Sequence, residues 1–304
     1  MNVMNFSIHS FLEKILERVL PDHGFADHLH GKFRPDATAW AMMVLNKQGI
    51  ESEIVRLAGD RLLNYQMPDG RVVISIDHPD VLWPTPLAVL AWQNSKIHHN
   101  SAWQRAVLFM LQATGVHWEK PDNDFIGHDT GILGWSWTDR THSWVTPTAL
   151  SMMALTVAGY GDHSRVTAGA NLLLDRQIST GGWNYGNTSV LGKSLHPFPE
   201  TTGMALNALA GRVPREAIEP SLQYLQGRIS TLRTPLSLGW SVLGLKAWSV
   251  SPDQAQEWIV ETLERDAQYG GYDTPSLCLL LAASLATEGL ESLIVQEVEG
   301  ATPS

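Results

Sequence analysis

Three residues stand where acid–base chemistry is most readily placed. Asp36 lies in Arg34-Pro35-Asp36-Ala37-Thr38-Ala39, His142 just ahead of Trp144-Val145-Thr146-Pro147, and Glu200 in Pro199-Glu200-Thr201-Thr202. Each opens or precedes a long uncharged stretch. A carboxyl or imidazole beside apolar surroundings can be tuned by burial to give or take a proton. Arg34, two residues before Asp36, argues instead for an ionised, paired carboxylate. A carboxylate at a helix start also has plain capping value. Both readings of Asp36 stay open.

Histidines gather in the same segments. His28-x-His30, and His128-Asp129 with His142, hint at a metal without fixing one. Polar loop residues bonded to backbone explain the same set. Asp122-Asn-Asp124 resembles the start of a calcium loop, but its last ligand position holds Leu133 and discards it. No Walker loop, G-x-S-x-G or H-E-x-x-H occurs, and no cofactor is expected. Of the 12 Trp, Trp40, Trp137, Trp144 and Trp183, with Tyr185 and Tyr272, stand in loops or near the starts of the uncharged stretches. They are candidate walls of an apolar pocket, against the alternative of ordinary packing between repeats. Arg34, Lys193 and His196 are bases placed to meet an anionic group there. The last two sit in the long Gly-rich loop 181–200, of a kind that is usually functional or mobile.

What must position these residues is a repeat. Thr-Pro followed by a small, apolar helical stretch occurs at Thr85-Pro86, Thr146-Pro147, Thr234-Pro235 and Thr274-Pro275, with Thr38 and Thr202 as variants without Pro. Thr is a good N-cap and Pro is at home in the next position, so each step is expected to start a helix. Residues 85–92, 146–159 and 202–211 carry no charge, which marks helices buried on every side. Between them lie amphipathic segments near 8–19, 52–66, 101–113, 164–177, 214–228 and 253–267. About six alternations of wet-faced and dry helices are best housed as two concentric rings, with the inner helices parallel and their N-termini at one mouth. VVISI at 72–76 is the one strand candidate, and it also suits a loop edge.

One segment ties this repeat to a family. Leu173, Gln177, Gly181 and Trp183 in LLLDRQISTGGW match the Q-x3-G-x-W core of the QW motif of squalene–hopene and oxidosqualene cyclases. Leu62, Gln66 and Gly70 repeat the spacing with Val72 in place of Trp. Leu108 with Gln112, and Leu222 with Gln226, are more degraded copies. Gly270-Gly271-Tyr272 resembles the GGF/GGY step of protein prenyltransferase β subunits. The chain thus resembles the terpenoid cyclase and prenyltransferase β-subunit family. The resemblance implies an all-α fold, an (α/α)6 toroid of about six helical hairpins over residues 1–295, with 296–304 as a tail. In class II cyclases the middle Asp of D-x-D-D-T-A protonates an alkene or epoxide. Asp36 matches that Asp, while Arg34 and Ala37 replace the flanking acids. The zinc-binding D-x-C pair of prenyltransferases is absent, and Cys278 lies inside an apolar stretch as a core residue.

Composition narrows the function further. The net charge of −10 speaks against a nucleic-acid partner, because phosphate binding needs a basic face. One cysteine allows no intrachain disulfide and fits a reducing compartment. The N-terminus alternates Phe11, Leu12, Ile15 and Leu16 with Glu13, Lys14 and Glu17, an amphipathic helix and not a signal peptide. No apolar run is long enough to span a membrane. The expectation is a cytoplasmic or membrane-peripheral enzyme of cyclase or prenyl-transfer type, with an isoprenoid or lipid-like molecule in the toroid. The alternatives are a non-catalytic toroid with a filled centre that binds a protein or lipid, and a metal-dependent hydrolase or lyase on the same scaffold.

Overall fold

The computed structural model describes residues 3–50, 52–120 and 127–294. Asp122-Asn-Asp124 and the expected tail at 296–304 lie outside the described residues. In chain order the α-helices are α1 (Val3–Leu16), α2 (Pro35–Lys47), α3 (Ser52–Leu63), α4 (Pro84–Gln93), α5 (Lys96–Gln112), α6 (Val145–Leu155) and α7 (Ser164–Asp175), then α8 (Pro199–Leu209), α9 (Glu219–Arg228), α10 (Pro235–Lys246), α11 (Ala255–Glu264), α12 (Thr274–Leu285) and the short α13 (Glu291–Ile294). The even-numbered helices from α2 to α12 pack each on the next, and α12 packs back on α2, which closes a ring. The odd-numbered helices lie outside it, α3 on α2, α5 on α4, α7 on α6, α9 on α8, α11 on α10 and α12, and α1 on α12. This is the two-ringed α/α toroid that the repeat implies.

Sequence sets the two rings apart. All eleven residues of α6 are buried, as a helix apolar all round requires. Outer α3 buries only Val55, Ala58, Gly59 and Leu62, the spacing of a single helix face. Residues 72–76 form no strand: Val72 makes one bridge with Gln66. The sheet among the described residues is a two-residue hairpin, β1 (Ser189–Val190) against β2 (Lys193–Ser194).

The threonines do not cap helices as their spacing predicts. Helix α4 starts at Pro84 and α6 at Val145, so Thr85 and Thr146 fall inside the first turn. Thr234 holds the N-cap position of α10 without a side-chain bond. Of the inner helices only α12 has a side-chain cap, Asp273 accepting from Ser276 N–H at 2.9 Å. The threonines latch loops instead. Thr38, Thr85, Thr148 and Thr202 Oγ1 accept from the backbone N–H of Phe25, Val72, Trp135 and Trp183 at 2.9–3.0 Å. In the last three the hydroxyl also donates to the carbonyl of the same loop residue, at 3.3–3.4 Å. All four loop residues are 4% exposed or less, so without the latch a buried backbone pair would go unmet.

The Gln-Gly-Trp segments join one hairpin to the next. Gln66 Nε2 donates to the Ala102 carbonyl of α5 at 2.8 Å, and Gln177 Nε2 to Ser221 Oγ of α9 at 2.7 Å. Gly70 and Gly181 have φ of +100° and +93°, and a Cβ there would lie 2.2 Å from the Arg105 carbonyl oxygen and 2.3 Å from that of Pro220. Only glycine allows both the left-handed turn and this approach. The Trp183 and Trp135 indoles donate to the Leu173 and Met110 carbonyls. Trp135 is therefore the tryptophan of the third repeat, set apart from Gln112 by a long insertion that hid it in the sequence.

Both ends of the ring are tied. At the seam, Thr274 N–H donates to the Asp27 carbonyl and its hydroxyl to the Ala26 carbonyl, while buried Arg18 reaches Thr274 Oγ1 and the Tyr272 carbonyl. At the C-terminal end of the inner helices, α13 packs on α2 and α4. Leu290, Leu293 and Ile294 are buried there, Leu290 N–H donates to Asn207 Oδ1, and Lys47 reaches the Ser292 carbonyl. The ring is thereby covered opposite its mouth. The latch makes a direct prediction. Thr202→Val keeps the shape but strands the Trp183 N–H, and should lower stability in urea denaturation by about 1–3 kcal/mol. Thr234→Val, which loses no cap bond, should change it by less than about 0.5 kcal/mol. Equal losses would return both threonines to the capping role.

Candidate functional site

A cavity of about 340 Å³ occupies the middle of the inner ring. All six inner hairpins reach it, mostly through residues four apart on one helix face: Asp36 and Trp40, Trp83 and Leu87, Thr146 and Leu150, Leu236 and Trp240, Pro275 and Leu279, with Met204 from α8. The filled centre of a purely structural toroid is not what this ring contains. Four of its wall residues are tryptophans. Trp40 and Trp240 meet edge to face with centroids 5.9 Å apart, and so do Trp83 and Trp137 at 6.2 Å.

Polar groups cluster on α2 and α12. Asp36, 5% exposed, stands in the first turn of α2. Arg34 Nε and Nη2 donate to its Oδ1 and Oδ2 at 2.9 and 2.6 Å, the two-pronged contact of a guanidinium with a carboxylate. Burial works against the Arg34 charge, but the hydrogen bonds to Asp36 and the charges of Asp36, Asp27 and Asp273 outweigh it and hold its pKa above the ordinary arginine value. Asp273 and Ser276 complete the polar wall. The capping and pairing of Asp36 and its place on the cavity wall thus coexist.

The remaining expected site residues are spread over the mouth. Glu200 stands four residues before Met204, the register of Asp36 to Trp40, but its carboxylate accepts from Ser237 Oγ at 2.8 Å. His142 and Trp144 line a different pocket. Trp183 is corrected: at 0% exposure and bonded through both N–H groups it is core, and it does not line the central cavity. Tyr185 is 52% exposed and packs on Phe198. Tyr272 faces the seam between α1 and α12 rather than the central cavity. Lys193 and His196 are exposed on and after β2 and line neither space. Trp240 and Asp273 went unread in the sequence. Trp240 carried a signal, since it follows Pro235 by the five residues that separate Trp40 from Pro35.

The second pocket, about 200 Å³, lies between the 113–144 and 176–198 loops. His142 packs between Trp118 and Trp144, centroids 5.1 and 5.9 Å away. His128 is 8% exposed and its Nδ1 has no partner among the described residues. Burial first, then the charges of Arg176, Lys120 and His142, push its pKa down to about 4. Among the described residues no three His, Cys, Asp or Glu side chains gather so as to hold a metal ion. Cys278 is fully enclosed, and burial pushes its thiol up, so it is a core residue.

No protein-family model matches the sequence, and no curated protein sequence matches it significantly. Solved structures do match in fold. A variant of the type II terpene cyclase MstE from Scytonema, in complex with geranylgeranyl dihydroxybenzoate, is 13% identical over 96% of this chain and 96% of that one, with a TM-score of 0.62. An inactive variant of an alpha-1,6-mannanase of Salegentibacter sp. HEL1_6, in complex with alpha-1,6-mannotriose, is 12% identical over 93% of this chain and 99% of that one, also at 0.62. A protein from Actinoplanes is 18% identical over 86% and 80%, at 0.60. At such identities the likeness is one of fold. Among the described residues no helix is long and apolar enough to cross a membrane.

Neutral His128 has a measurable consequence. Above the ordinary histidine pKa of 6.5 it is uncharged folded and unfolded alike. As pH falls from 6.5 towards 4 the unfolded chain takes up the proton first, so the fold loses on the order of 2 kcal/mol and the loss levels off below. Urea titrations at pH 7 and pH 4.5 should therefore show His128→Gln losing less stability than the wild type. Parallel losses would mean that His128 is hydrated.

Proposed function

We propose that this chain is an enzyme of the terpenoid-cyclase type, which folds an isoprenoid-like substrate into the central cavity and uses Asp36 as its proton donor. Two of the fold neighbours are enzymes, a type II terpene cyclase in complex with geranylgeranyl dihydroxybenzoate and an alpha-1,6-mannanase. The observation that carries the reading is one buried carboxyl, Asp36, on the wall of a 340 Å³ space faced by four tryptophans. The volume suits a small apolar ligand, and indole faces attract a cation.

The fork from Arg34 enters this chemistry directly. An ionised carboxylate has no proton to give. An anionic head on the substrate, a diphosphate or carboxylate at the mouth, competes for Arg34, which is 39% exposed at its side chain. The cycle starts with Asp36 freed from Arg34 and carrying a proton. Asp36 then gives that proton to an alkene carbon. The π electrons of the next double bond close a ring on the cation so formed. Loss of a proton to Asp273 restores an alkene, and the net reaction is an isomerisation. His142 and Glu200, the other two expected acid–base groups, have no step in it.

One observation favours a second reading. Asp36 and Asp273 are two carboxylates on one aromatic-walled cavity, a donor pair of the kind that cleaves glycosides. Against it, the inactive mannanase carries replacements at two adjacent aspartates, and this chain has no adjacent pair.

Incubation with geranylgeranyl dihydroxybenzoate and with farnesyl and geranylgeranyl diphosphates, followed by chromatography and mass spectrometry, tests both. The account expects products of unchanged mass with fewer double bonds, formed about a hundredfold or more slowly by Asp36→Asn. Release of mannose from alpha-1,6-mannan with no product from any prenyl substrate would decide for the glycosidase.

A further inference from the structure

The second pocket belongs to no step above, and its parts are hard to explain as packing. His128 is buried with Nδ1 unmet, which in a finished core costs about 1–3 kcal/mol. The Asn187 amide and the His142 ring also line it, and neither makes a hydrogen bond within the described residues. Trp118 leaves 39% of its surface exposed beside His142. Arg176 is 5% exposed, and its donors go to Asp175 Oδ2 and to the Gly186 and Asp129 carbonyls. A guanidinium carries five N–H groups, so two have no acceptor among the described residues.

We propose that this pocket is a second ligand site, separate from the central cavity, for a single-ring aromatic carboxylate. Size sets the ring: about 200 Å³ exceeds the roughly 150 Å³ in which a protein cavity takes up benzene, leaving room for one substituent. The Trp118–His142–Trp144 cluster, its rings meeting edge-on and tilted, supplies the aromatic surface. Charge sets the sign. Around His128 stand Arg176, Lys120 and His142; Asp129 opposes them, and Asp175 pairs with one edge of the Arg176 guanidinium at 3.2 Å while leaving its remaining donors to a ligand. A metal ion would meet the Arg176 cation and too few ligands. A carboxylate meets the free guanidinium donors, the Asn187 amide and the histidine ring together.

Calorimetric titration of the full chain with benzoate and 4-hydroxybenzoate tests this, with cyclohexanecarboxylate and phenol as controls. Saturable binding at millimolar concentration or better is expected, with each control weaker by about tenfold. Trp118→Ala and Asn187→Ala, both at partly exposed positions where folding tolerates change, should each weaken benzoate by about tenfold. Trp240→Ala, in the central cavity, should leave benzoate affinity unchanged. No saturation, equal binding of cyclohexanecarboxylate, or an affinity that follows Trp240 and ignores Trp118 would each overturn the assignment. None of these outcomes depends on whether the central cavity cyclises anything.

Discussion

A loop that enters an inner helix of this ring must bury its backbone against apolar side chains, and a hydroxyl one turn inside the helix is what permits it. Thr38, Thr85, Thr148 and Thr202 each take the N–H of a buried loop residue, and Thr274 closes the seam by the same means with the opposite polarity. Everything at the mouth hangs on these bonds. They fix where the loops descend and hold Trp135 and Trp183 between the rings. They also let the first turns of five of the six inner helices face inward free of side-chain caps, Asp273 of α12 being the exception.

That freedom creates the cavity. Six parallel helices starting at one level leave an axial space, and residues four apart on each helix line it. Small side chains hold the helices close elsewhere: Gly203 of α8 lies against the Trp240 carbonyl of α10, where a Cβ would be 2.1 Å from the oxygen. The space persists where large aromatic rings meet across it edge to face. The segment ending in α13 covers the opposite end. A buried carboxyl in such a wall must be paired or neutral. Arg34 pairs it at rest through a two-pronged contact whose guanidinium still reaches solvent.

The ring was legible in the sequence, because uncharged stretches alternating with one-faced helices admit few other arrangements. Asp36 was legible as a wall residue by its place in RPDATA, and its pairing by Arg34 two residues away. The role of threonine was not. A hydroxyl beside Pro reads locally as a cap, while the partner it takes in the fold lies 13 or 19 residues upstream. Trp183 looked like a cavity wall by type and is core by its two N–H bonds. Trp144, His142 and Tyr272 line hollows other than the central cavity, because which hollow a loop residue faces depends on how long insertions fold back. Glu200 shows the same limit: its register is that of Asp36, and one hydroxyl, Ser237, turns it to another partner.

The central claim is that the axial space, with Asp36 on its wall, is where an apolar chain binds. A diazirine-bearing farnesyl diphosphate, irradiated on the protein and mapped by peptide mass spectrometry, addresses it most directly. The account predicts adducts on α2, α10 and α12, at or beside Trp40, Trp240 and Leu279, that unlabelled farnesyl diphosphate competes away. Adducts confined to the outer helices, or insensitive to competition, would contradict it.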